Sequence, residues 1–214
     1  MIDGPQTKAL LARAAGGDGQ AWGKLLTGHQ ERLMRMVAFR MDPRLRGRVD
    51  AADVVQDAFV EASAHRADYL RDPSAPLFLW LRGVVRNKLL EAHRHHLGTG
   101  MRDARRDLPL EAPQRSDDMS AAALCAQLSG HLTRASVAAR RVEVKTRLQG
   151  ALEEMDAIDR EVLALRHFEQ LSNAEVATTL GIGERAAKER YVRALQRLRE
   201  ALADMPGGLT GLRP

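Results

Sequence analysis

The chain has 214 residues, enough for one large domain or two small ones, and its formal net charge of +5 points to an anionic partner. Aromatic residues make up only 4%, which argues against a sandwich or barrel core and leaves Leu, Val, Ala and Met to pack small helical bundles. The single cysteine, Cys125, excludes an internal disulfide and a four-cysteine zinc site, no apolar run approaches the roughly 20 residues that cross a bilayer, and the N-terminal stretch lacks the layout of a signal peptide, so a cytoplasmic protein without membrane insertion is expected.

Residues from about Thr7 to Leu97 read as a helical bundle. Leu10, Leu11 and Ala14 lie on a short first helix that ends at Gly16-Gly17. Trp22, Leu25, Leu26, Leu33, Met36 and Val37 recur at three- and four-residue steps along a second. Pro43 and Gly47 mark a loop. A third helix begins near Asp50 or Asp53, with Val54, Val55, Ala58, Phe59 and Ala62 on its apolar side and Asp50, Asp53, Asp57 and Glu61 opposite. The helix dipole accounts for acids at a helix start, so Asp50 and Asp53 are explained locally. Asp57 and Glu61 are not, and an acidic stripe there suits a basic partner surface.

The stretch HRADYLRDPSAPL, with its two prolines, is expected as a loop. A helix from Phe78 to Leu97 follows, on which Phe78, Leu81, Val84, Val85 and Leu89 can face the bundle. Arg82, Arg86, Lys88, Arg94 and the histidines cannot all do so. Between Leu81 and Arg106 seven Lys or Arg stand against two acids, with Tyr69 and Trp80 near the edge of this basic surface. Basic charge with aromatics and a constrained loop is how single-stranded nucleic acid is held. His93 and His96 are three residues apart, but no nearby carboxylate or thiol completes a tetrahedral set, so no metal is expected. Cys125 sits in an amphipathic Ala/Leu context and reads as a packed thiol.

Residues 98–120, polar and broken by Pro109 and Pro113, form a linker expected to be flexible. Helical periodicity returns at about Ala121 and lasts to Met205. Within it, Leu171 to Leu202 is laid out as a helix-turn-helix. Ser172 and Glu175 make a capping box, Val176, Ala177 and Leu180 give a short helix an apolar side, and Gly181-Ile182-Gly183 breaks it. A second helix starts near Glu184, with Ala187, Tyr191, Ala194, Leu195, Leu198 and Leu202 inward. The N-terminal part of such a helix meets base edges in the major groove. Arg185, Lys188, Glu189 and Arg190 are therefore the candidate readers, while Arg193 and Arg197 suit phosphates.

The succession DAADVVQDAFVEA, FLWLRGVVRNKLLEAHR, a linker, and IDREVLALRHFEQLSNAEVATTLGIGERAAKERYVRALQRLRE resembles an extracytoplasmic-function (group IV) sigma factor of the sigma-70 family, over about Leu10 to Leu202. The resemblance implies an all-α protein of two small helical domains joined by a flexible linker. Residues 7–97 would be the region 2 domain, which binds core RNA polymerase and melts the minus-10 element. Residues 98–120 would be the linker toward the RNA exit channel, and 121–205 the region 4 domain, which binds the minus-35 duplex. On this sequence it implies polymerase clamp-helix contacts at Asp53, Gln56, Asp57 and Glu61. It implies minus-10 contacts at Tyr69, Arg71, Trp80, Arg86, Asn87 and Arg94, with Tyr69 to Ala75 as the base-capturing loop. It implies minus-35 contacts at Arg185, Lys188, Glu189, Arg190 and Arg193. Leu163, Leu165, His167 and Phe168 would pack region 4 and meet the polymerase flap.

The implied partners are core RNA polymerase, promoter DNA, and either an anti-sigma factor or an intramolecular inhibitory contact. No cofactor and no catalysis are implied. Gly183 stands where the family often has Ser, Ala186-Ala187 replaces a commoner Thr-Val, and the segment 121–150 is longer than a minimal sigma factor needs, enough for an added helix. Two other functions fit parts of the text: a dimeric helix-turn-helix regulator that binds DNA without polymerase, and a helical metal enzyme using the histidines.

Overall fold

The computed structural model describes residues 4–73, 75–97, 121–131 and 138–203. The linker 98–120 and the tail beyond 203 lie outside them. The described residues are helical, with no strand among them, and fall into two compact units, one within Met1–Ala112 and one within Pro113–Pro214.

In the first unit, helix α1 spans Pro5–Ala15 and α2 spans Gly19–Arg40. Pro5 occupies the first helical turn, where its missing N–H costs nothing, and Gly17 at φ 93° turns the chain out of α1. Asp18 then caps α2, accepting from the Ala21 N–H at 3.0 Å while Arg13 binds its other oxygen at 2.6 Å. A 3-10 turn over Pro43–Leu45 leads to α3, Ala51–Ala64, capped by the Asp50 carboxylate on the Ala52 N–H. Helix α5 spans Leu77–Leu97. α3 packs on α2 and α5, and the apolar faces foreseen for all three meet in one core: Leu33, Met36, Val55, Ala62, Leu81 and Val85 are completely buried, as is Leu77 of the stretch expected as a loop.

The stretch expected as a loop before α5 departs from that reading. Its first half forms a six-residue helix, α4, over Arg66–Arg71. The residues preceding Pro73 include Ala67, Leu70 and Arg71, which favour helix, so the chain coils until the prolines stop it.

In the second unit, α6 (Ala121–His131) packs against α7 (Ala138–Glu153), burying Leu124, Cys125 and Leu128 of the former and Leu148 and Leu152 of the latter. The added segment before the helix-turn-helix is thus two helices, and Cys125 is a packed thiol whose Sγ donates to the Lys145 carbonyl at 3.4 Å. α8 spans Ala157–Leu163 and runs into a π-helical turn over Ala164–Phe168. Arg160 of α8 donates to the carbonyls of Leu152 and Met155, at 3.0 and 2.5 Å, tying α8 to the end of α7.

The chain then reaches Gln170, which adopts φ 57° without being glycine. A left-handed conformation costs an L-residue about 1–2 kcal/mol, part of which glycine gives back as lost chain entropy. Gln170→Gly is expected to stabilise the second unit by about 0.5–1 kcal/mol, read as slower amide exchange in the helices that follow.

Candidate nucleic-acid interface

The helix-turn-helix consists of α9, Asn173–Leu180, and α10, Glu184–Ala201. Both halves of the capping box are made: Glu175 N–H donates to Ser172 Oγ at 3.2 Å, and Ser172 N–H donates to Glu175 Oε2 at 2.7 Å. Gly181 takes the left-handed conformation at φ 64°, the position in the turn that favours glycine. Gly183 gives α10 no side-chain cap. Ser172→Ala is expected to cost about 1 kcal/mol and to speed amide exchange in α9, with little change in α3.

The inward face of α10 is as expected, with Ala187, Tyr191, Ala194, Leu195 and Leu198 buried. Burial raises the Tyr191 hydroxyl above its usual pKa. On the outward face Arg185, Lys188 and Glu189 are exposed at the start of the helix. Arg185 Nε donates to Glu189 Oε1 at 2.7 Å, a pair that holds the Glu189 carboxyl below its usual pKa and the Arg185 guanidinium above its own. Both side chains are exposed, so either member can exchange its partner for a base edge or a phosphate.

Two cations of α10 are placed otherwise than expected. Arg190 is half-buried and donates from Nη1 to Oδ1 of Asp159, on α8, at 2.5 Å. This contact ties α10 to α8 and leaves 28% of the Arg190 side chain exposed. Arg197, assigned to phosphates, donates to the Glu154 carbonyl beyond the end of α7 at 3.2 Å. Arg193 keeps a side chain 55% exposed, with Nε 3.6 Å from Asp159 Oδ2. Sequence reasoning missed Asp159, a carboxylate only 1% exposed. It also missed Val192, a valine standing 55% exposed on the outward face. A buried acid on α8 gives no periodic signal that sets it apart from a surface one. Leu163 and Leu165 are fully buried and His167 and Phe168 half-buried, so the first two pack the unit while the last two reach its surface.

In the first unit, Asp53, Gln56 and Asp57 are exposed on one side of α3, with Val60 at 72% exposure one turn beyond Asp57 and no Lys or Arg anywhere on the helix. Glu61 is drawn aside. Its carboxylate binds Lys88 of α5 at 2.5 Å, and Lys88 also binds Glu91 at 3.0 Å. These two acceptors, Glu61 first, raise the Lys88 ammonium above its ordinary pKa.

The aromatics expected at the edge of the basic surface are inside. Tyr69 is 4% exposed and Trp80 8%, stacked on each other with centroids 4.6 Å apart. Trp22 meets Trp80 edge-on at 6.2 Å and donates from Nε1 to Ser63 Oγ at 3.1 Å. The Tyr69 hydroxyl donates to the Ala75 carbonyl at 3.1 Å, tying α4 to the segment before α5. Apolar rings with a satisfied polar tip gain more from this core than from solvent. They shape the loop and do not offer faces to a base. Arg71 is exposed and pairs with Asp68 at 3.2 Å. Arg86 and Asn87 are half-buried and Arg94 is exposed. His93 accepts from the Asp42 N–H at 3.3 Å, which gives it a structural task. Among the described residues no group of three or more His, Cys, Asp or Glu could hold a metal ion, and no helix is long and apolar enough to cross a membrane.

Two family models match the chain: "Sigma-70 region 2" over residues 26–97 and "Sigma-70, region 4" over residues 145–198. Among curated proteins, the chain is 31% identical over 197 residues to the RNA polymerase sigma factor CnrH of Cupriavidus metallidurans, covering 92% of this chain and 94% of that one. It is 28% identical over 201 residues to the ECF RNA polymerase sigma factor SigD of Mycobacterium tuberculosis, covering 94% and 86%. Among solved structures, CnrH in complex with the cytosolic domain of CnrY matches with a TM-score of 0.50 and 24% identity, over 94% of this chain and 99% of that one, a likeness of fold.

Proposed function

The chain belongs to the extracytoplasmic-function group of the sigma-70 family, and as a promoter-specific initiation factor of RNA polymerase we propose that it divides its labour as follows. Residues 7–97 form the module that docks on polymerase and opens the minus-10 element, 98–120 connect, and 121–205 read the minus-35 duplex. The outward side of α3, with Asp53, Gln56, Asp57 and the exposed Val60, docks on the clamp helices, and Glu61 supports it through Lys88. Arg71, Arg86, Asn87 and Arg94 contact the minus-10 strand, while Tyr69 and Trp80 hold the loop from beneath. Arg185, Lys188 and Glu189 read minus-35 base edges, Arg193 contacts a phosphate, and Arg190 fixes the helix. His167 and Phe168 serve contact with the flap.

The work is physical, not catalytic. Lys and Arg displace counterions condensed on DNA, and loop contacts offset part of the few kcal/mol that unstacking a base costs. Such a protein works in the cytoplasm, where the polymerase is. CnrH is solved with the cytosolic domain of CnrY. A protein partner is proposed here as well, an anti-sigma factor covering the acidic or the cationic surface, with an intramolecular inhibitory contact as the alternative.

The observation that carries this reading is the coexistence, in one helical chain, of a capped helix-turn-helix with exposed cations at its reading end and a separate unit bearing an acidic helix face free of Lys and Arg. Nuclease footprinting on a selected promoter tests it. With core polymerase, the chain should protect two patches upstream of the start site. One palindromic patch, protected without polymerase, would instead identify a dimeric regulator.

A further inference from the structure

We propose that Asp159 is a positioning residue for duplex recognition: buried on α8, it fixes α10 through Arg190 and holds Arg193 in the orientation that meets a DNA phosphate. The proposal rests on reading α9 and α10 as the minus-35 module. A carboxylate taken out of water is tolerated only with compensating charge and hydrogen bonds. Asp159 is 1% exposed, and both arginines close to it come from the helix that reads DNA. The two contacts differ in kind. Arg190 donates from a terminal nitrogen at 2.5 Å with 28% of its side chain exposed, which is a brace. Arg193 approaches with Nε at 3.6 Å, an ion pair made at the root of the guanidinium, and 55% of its side chain remains exposed.

A guanidinium is a rigid planar fork, so a charge acting on its Nε edge orients the terminal NH2 groups as well. On α10, Arg193 lies one turn beyond Glu189 and eight residues beyond Arg185, at the flank of the outward face. Flanking cations meet phosphates, and a phosphate contact sets the register in which the neighbouring side chains reach base edges. Asp159 touches no base and still governs how well the helix reads.

The sign of one substitution separates this role from plain electrostatics. Asp159→Asn removes a negative charge close to the DNA-facing helix, so long-range attraction alone predicts tighter binding of DNA. The positioning role predicts weaker binding.

The test uses the full chain with core polymerase, measuring affinity for a promoter and for the same promoter with its minus-35 element scrambled. Wild type should prefer the intact promoter; no preference would overturn the reading of α9 and α10, and the proposal with it. Given that preference, Asp159→Asn should weaken binding to the intact promoter roughly tenfold, the usual worth of one charge-assisted contact. Equal or tighter binding overturns the proposal alone.

Arg193→Lys keeps the charge but loses the fork. It should also cost roughly tenfold, leave thermal stability unchanged, and cost less than about twofold in the Asp159→Asn background. A lysine that binds as well as arginine, or one whose cost is the same in both backgrounds, overturns the proposal. A lysine that binds as well as arginine in the native background overturns the proposal even where Asp159→Asn fails to fold.

Discussion

Asp57→Arg is expected to lower the chain's affinity for core RNA polymerase by about two orders of magnitude, because it sets a like charge against a basic docking surface, at a cost of several kcal/mol. The side chain is exposed on α3, between Asp53 and Val60. It makes no part of the core, so helicity and tryptophan fluorescence should be unchanged. The measurement is retention of core polymerase on the immobilised chain. Loss of retention with normal folding supports α3 as the docking helix. Retention within about threefold of wild type would move the polymerase contact elsewhere and leave the acidic face without a function. A more graded series follows from the same geometry. Asp53→Asn and Gln56→Ala should weaken retention less than the reversal at 57, and Val60→Ala should weaken it if the exposed valine is the apolar centre of the contact.

Trp80→Ala is expected to destabilise the first unit by about 3–5 kcal/mol, the range for deleting a large aromatic from a packed core. Its ring lies between Tyr69 at 4.6 Å and Trp22 at 6.2 Å and is 8% exposed. Little can collapse into the space it would vacate. Both tryptophans lie in this unit, so urea unfolding followed by the fluorescence of the remaining Trp22 reports on this unit directly. A loss of this size removes a large share of the stability of a domain of roughly 90 residues. A base-stacking platform on the surface would behave in the opposite way. Its removal would leave stability within about 0.5 kcal/mol and affect only promoter opening. The stability measurement therefore tells a supporting aromatic from a contacting one. The same logic applies to Tyr69, whose hydroxyl holds the Ala75 carbonyl at 3.1 Å. Tyr69→Phe should loosen the loop while leaving the ring stack in place.

The helix-turn-helix was legible because its signals are local. A capping box, a glycine where the backbone needs positive φ, and a 3.6-residue apolar period each involve residues within a few positions of one another, and all three appear at Ser172–Glu175, Gly181 and along α10. The same holds for Asp50, read as a start of the third helix, whose capping bond to the Ala52 N–H spans two residues. What escaped is tertiary. Arg190 looks like any recognition-helix cation until α8 brings Asp159 to it across 31 positions. Trp80 and Tyr69 sit beside basic residues in sequence, and an aromatic next to a cation reads alike whether its ring turns toward a base or into a core. Arg197 reaches a carbonyl 43 residues away. Helix α4 was hidden by the prolines that follow it, since turn signals mark where a helix stops and say nothing of a short one before them. The segment from Ala121 to Gly150 carried enough Leu and Ala to foretell an added helix, but its pairing as α6 on α7 depends on which faces meet.

The central claim is that this chain gives RNA polymerase its choice of start site through two helical modules. Mapping transcript 5′ ends from a template library randomised upstream, with core polymerase in the presence and absence of the chain, tests it most directly. The account predicts a narrow set of start sites that appears only with the chain, sharing two upstream elements at a fixed spacing, with the upstream element's preference lost in Arg185→Ala/Lys188→Ala. Start sites no more selective with the chain than without it would contradict the account.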